Sequence, residues 1–99
     1  MVNEFLMDRV NMAHALLDQG QLGEALQLIK NIKIRIQDKN LLGEITDKEN
    51  HIEIEYSNKM KTLNGDPVSI SGKLFELNLW RIKEYINFYD RVIRTHERL

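Results

Sequence analysis

The stretch Leu74-Phe75-Glu76-Leu77-Asn78-Leu79-Trp80-Arg81-Ile82-Lys83-Glu84-Tyr85-Ile86-Asn87-Phe88-Tyr89-Asp90-Arg91-Val92-Ile93 decides the fold. Within it Phe75, Leu79, Ile82, Ile86, Tyr89 and Ile93 fall alternately four and three residues apart. That is the stripe of an α-helix whose apolar seam repeats every seven residues. A second row, Leu74, Leu77, Tyr85, Phe88 and Val92, runs beside it. Two rows make an apolar face wider than one packing partner covers. The pattern therefore predicts a last helix with several neighbours, one of them on another chain.

Upstream, the glycines at 20, 23, 43, 65 and 72 and the single proline, Pro67, divide the chain into four stretches. The first, Asn3 to Gln19, has Val2, Phe5, Leu6, Val10, Ala13, Leu16 and Leu17 on one helical face, with Asn3 as N-cap and Gly20 as the stop. The second, Leu22 to Asp38, buries Leu22, Ala25, Leu26, Ile29, Ile32 and Ile36. Its Ile32–Ile36 alternation also fits a strand, but the strongly helical residues before it continue without a turn. The third, Thr46 to Leu63, opens on Thr46 with Glu49 in capping-box spacing. Alternation over His51–Tyr56 leaves a strand open there, although no partner strand is evident to satisfy its backbone. Asn64-Gly65 ends this helix. The fourth begins either at Asp66-Pro67, as cap and first residue, or after Ser71-Gly72.

Four helices with short joints predict an all-α, four-helix, up-down bundle-like domain spanning 1–99 as one unit, with a long C-terminal helix. At 1.5 Å per residue that helix would span roughly 40 Å and the first two nearer 25 Å, leaving an overhang.

Composition narrows function by exclusion. The net charge is −1 with 29% charged residues of mixed sign, so no overall field draws the chain to polyanions or anionic membrane. It contains no cysteine, which excludes disulfides, thiolate metal sites and a cysteine nucleophile. Glu4, Asp8 and Arg9 break any signal-peptide apolar core, and no apolar run is long enough to span a bilayer; a cytoplasmic location is the default. Eleven Ile and nine Asn point to an AT-rich genome, as of a low-GC bacterium, a phage or a virus.

Two motifs resemble known families. Ala13, Leu16, Gly20 and Ala25, within Met12–Leu26, resemble one tetratricopeptide-type helical hairpin over residues 6–39. The pattern's early Trp position is Arg9, its closing proline is absent, and no second copy follows. Any tight αα-hairpin would carry the same residues. The resemblance implies protein or peptide binding. Arg91 and His96 are similar in spacing to the Arg/His pair of helical HEPN-type ribonucleases, which would imply phosphodiester chemistry, although Ile93 stands where that family has a polar residue. The same residues also read as a solvated, dipole-matched helix end.

Arg91, Arg94 and Arg98 share one face and make a candidate polyanion contact, interleaved with Asp90 and Glu97. His14, His51 and His96 fall on different helices without metal-ligand spacing. No phosphate loop, cofactor motif, catalytic residue or small-molecule site emerges. The leading expectation is a non-enzymatic interaction or regulatory module that forms a homodimer through its C-terminal helix, using Trp80, Tyr85, Phe88, Tyr89 and Val92. The alternative is nucleic-acid binding through Arg91, Arg94 and Arg98.

Overall fold

The structure is a computed structural model that describes residues 4–96. Four helices follow in order: α1 Glu4–Asp18, α2 Leu22–Arg35, α3 Lys39–Lys61 and α4 Pro67–His96. There is no strand among the described residues. The all-α bundle-like fold with a long last helix is as the spacing predicts.

Gly20 ends α1 with φ +78°, a backbone conformation that costs glycine little. The Gln21 N–H donates to the Leu16 carbonyl and the Gly20 N–H to that of Leu17, the bond pair of a Schellman stop. The tight turn folds α2 back along α1, with Ala13 and Ala25 fully buried where the helices meet. The N-cap assigned to Asn3 lies outside the described residues.

The Ile32–Ile36 alternation is helical through Arg35. Ile36 then turns extended while staying buried, so α2 ends three residues before the expected Asp38. A larger correction concerns α3, which begins at Lys39 and not at Thr46. The Asp38 carboxylate accepts from the N–H groups of Asn40 (2.8 Å) and Leu41 (3.0 Å), and this is the cap. Thr46 and Glu49 lie mid-helix. Gly43 had looked like punctuation. Its cost inside a helix, about 1 kcal/mol, is outweighed by burying Leu41 and Ile45 on either side of it, at roughly 1.5–3 kcal/mol each.

Residues 51–56 are helical: Ile52 is buried, Tyr56 half-buried on the same side, and Ile54 exposed on the other. Of the two starts considered for α4, the earlier holds. The Asp66 carboxylate accepts from the Ser69 N–H at 2.9 Å, and Pro67 takes the first helical position, where its missing N–H costs nothing.

α4 touches each of the other three helices, and α3 lies antiparallel on it. The core joins Val10, Ala13, Ala25, Ile29, Ile32 and Ile45 to Ile82, Ile86, Tyr89 and Ile93 of α4. The result is uneven along its length, 50 × 26 × 18 Å. One end is a four-helix core. At the other, the last turns of α3 and the first half of α4 project as a two-helix arm.

Candidate interaction surface on the last helix

The seam of Phe75, Leu79, Ile82, Ile86, Tyr89 and Ile93 extends further toward the N-terminus of α4. Val68, Gly72, Phe75, Leu79, Ile82, Ile86, Tyr89 and Ile93 keep the four-three spacing along nearly all of α4. From Ile82 onward every member is buried, with Ile86 and Tyr89 at 0% exposure. Leu79 is half-buried, Phe75 is 51% exposed and Val68 83%. The change follows from length. α4 has 30 residues and runs about 45 Å, whereas α1 has 15 and runs about 22 Å. The α1–α2 hairpin therefore covers only the second half of α4. The predicted overhang exists, and it lies in the first half.

The other side of α4 is fastened to α3 by polar rungs. Glu53 accepts from Arg81 through Nε (2.9 Å) and Nη2 (2.6 Å), and from the Tyr85 hydroxyl. Glu49 accepts from Lys33 Nζ at 2.6 Å and from the Tyr89 hydroxyl at 3.1 Å. The Tyr56 hydroxyl donates to Asn78 Oδ1 at 3.0 Å. The Arg81 guanidinium lies over the Tyr56 ring, 4.8 Å from its centre. Burial, then the bond to Glu53, raises the Tyr85 pKa; burial, then the charge of Glu49, raises that of Tyr89. Burial opposes the charge on Arg81, but the bond and charge of Glu53 raise its pKa overall. Both phenols thus stay protonated donors and both carboxylates are occupied. These groups form a clamp between helices.

This clamp corrects the expected interface. Tyr85, Tyr89 and Val92 are buried inside their own chain and offer nothing to a partner. Their phenols are satisfied from α3, which allows the rings to serve as core. Trp80 and Phe88 are half-buried and each is partly covered by a cation: the Lys59 ammonium sits 3.8 Å from the centre of the Trp80 ring, and the Arg91 guanidinium 5.4 Å from that of Phe88. Arg94 is exposed but bonds Asp90 through Nε at 2.5 Å, which neutralises it locally. Arg98 and the side chain of His96 lie outside the described residues, so the Arg91–His96 pair and the third arginine have no geometry to set beside the expectation.

What the sequence reading missed is the exposed set on the arm, Val68 and Phe75 on α4 and Met60 on α3. The signal was present. The four-three spacing continues through Gly72 to Val68, but a glycine does not register as a seam residue. Elsewhere, a groove of about 500 Å³ between α2 and α3, walled by Leu26, Ile29 and Ile34, has Arg81 and Tyr85 in its lining. A second hollow of about 430 Å³ includes Glu44, Asp47, His51 and Phe88. Among the described residues no cluster of three or more His, Asp or Glu could hold a metal, and no helix is long and apolar enough to cross a membrane.

No family model, curated protein or solved structure matches this chain.

Proposed function

We propose that this protein is a non-enzymatic protein–protein interaction module of the cytoplasm, and that its working surface is the first half of α4. One observation carries the reading. A single heptad row is core from Ile82 to Ile93, yet the same row stands in solvent at Val68 and Phe75. No charged residue interrupts it there, since Val68, Ser71, Gly72, Phe75 and Leu79 make up the face. Contiguous apolar surface of this kind marks docking sites on soluble proteins. The amphipathic helix supplies the anchors at the spacing that helix recognition uses. The polar clamp supports the reading from the other side, because it fastens α4 to α3 from Asn78 to Tyr89, directly beyond the exposed part of the row.

The test is a photo-activated cross-linker placed at residue 75 in the full chain, irradiated in living cells. The expected result is a discrete adduct above the mass of the chain, lost when Val68→Glu is added. Absence of any adduct, or one unaffected by Val68→Glu, would overturn the reading.

A further inference from the structure

We infer that the occupant of the exposed row is a second copy of this chain, paired antiparallel through residues 68–79 of α4. The inference rests on the interaction-module reading and names its partner. The exposed row is self-complementary. Val68, Gly72, Phe75 and Leu79 are spaced four, three and four apart, a palindrome. A two-fold axis between Lys73 and Leu74 sets Val68 opposite Leu79 of the second copy, and Phe75 opposite its Gly72. Each large residue then meets a smaller one, as an isologous interface requires.

The hole is real. A Cβ added at Gly72 would meet no atom within 4 Å, so the surface there is open to an incoming ring. Phe75, half in solvent, is the side chain available to fill it. Charge agrees with shape. Lys73 and Glu76 are both exposed along one edge of the row and opposite in sign. The same axis brings Lys73 of each copy within one helical turn of Glu76 of the other along the axis, so opposite charges meet across that edge. The Lys73 ammonium meanwhile reaches an exposed backbone carbonyl, that of Asn64, at 3.1 Å, and is free to swing across. Pairing two arms builds a third four-helix bundle between the two existing ones. The patch is one short helix face, so the dimer belongs with small, transient interfaces.

The absence of cysteine makes the register directly readable. In an antiparallel pair, Cys at 72 lies close to its own mate, while Cys at 68 lies about 16 Å along the axis from its mate at roughly 1.5 Å per residue. The proteins to compare are Gly72→Cys, Val68→Cys and Leu79→Cys, oxidised alone and as a Val68→Cys and Leu79→Cys mixture. The expected result is fast self-linking of Gly72→Cys, slow self-linking of the other two alone, and a dominant mixed dimer from the mixture. Sedimentation of the parent from about 10 µM to about 1 mM should show a reversible dimer. Gly72→Leu should weaken it at least tenfold, while circular dichroism stays helical because the added side chain enters open space. A Val68→Cys protein that links to itself as readily as to Leu79→Cys would overturn the antiparallel register. A parent monomeric across the range would overturn self-pairing altogether. In that case a residue-75 adduct of other than doubled mass would leave the interaction-module reading standing, whereas no adduct would end both.

Discussion

The two halves of α4 carry the same periodic code and meet opposite fates. Between Ile82 and Ile93 the row is sealed in the core; between Val68 and Phe75 it faces water. Composition does not separate them, since both halves hold a large aromatic and aliphatic residues at seam positions. What differs is coverage. The second half has α1, α2 and α3 around it, and the first has only the end of α3. A heptad seam states that a helix can be packed along its length, and the lengths of its neighbours decide how much of it is.

The sharpest way to break this comparison is to truncate one seam residue in each half. Ile86→Ala should cost about 2–5 kcal/mol, because a fully buried side chain leaves both lost contacts and a cavity. Phe75→Ala should cost under about 1 kcal/mol, as for a surface change away from any network. Urea unfolding at low micromolar concentration, where pairing between chains does not contribute, checks both. Comparable losses at the two positions would mean that Phe75 is covered within its own chain, and the division of α4 would fail.

A second, smaller effect should come from the clamp that fastens α4 to α3. Glu53→Ala leaves Arg81 and the Tyr85 hydroxyl without their shared acceptor, at a cost of about 1–3 kcal/mol. The cost should sit toward the lower end, because the Glu53 carboxylate is partly open to solvent. Tyr85→Phe in the same background should add little, since its partner is already gone. A double-mutant cycle on Glu53 and Tyr85 measures the coupling, expected at about 1 kcal/mol. Full additivity would show that the two side chains act separately and that the clamp is no unit.

How much of this was legible in the chain depends on how local each signal is. The Gly20 stop is written in adjacent residues and was read correctly; the Asp66-Pro67 start, equally local, was one of the two left open. The Asp38 cap is equally local, with Leu41 and Leu42 following it. It was masked by Gly43, whose helix-breaking tendency is weaker than the burial around it. The breadth of the α4 apolar face was also legible, and it correctly announced several neighbours. Which row those neighbours would cover was not, because that depends on where the α1–α2 hairpin docks along α4, a long-range fact. One clue was overlooked. Glu49 and Glu53 are spaced four apart on α3, as are Tyr85 and Tyr89 on α4. Two carboxylates and two phenols in matching register on antiparallel helices are a pairing code, and it places both tyrosines inside.

The smallest expected effect is at the start of the arm, and it separates the halves by pH. The Asp66 carboxylate is held below its ordinary 3.8, chiefly by the backbone N–H of Ser69. The sign follows from linkage: a carboxyl depressed in the folded chain stabilises it above the unfolded value, and that contribution fades as pH falls through the folded one. Asp66 is fully exposed and caps a stretch with few buried contacts, so its loss should fray the first turns of α4 without opening the core. At neutral pH, Asp66→Ala should speed amide hydrogen exchange at Ser69 and Ile70 while leaving that of Ile86 and Tyr89 unchanged. At a pH below the folded value, parent and variant should exchange alike at all four. If instead the variant loosened Ile86 and Tyr89 as much as Ser69, α4 would open as one cooperative rod. The arm could not then present its apolar row independently of the core, and the contrast between the two halves would be one of exposure alone and not of stability.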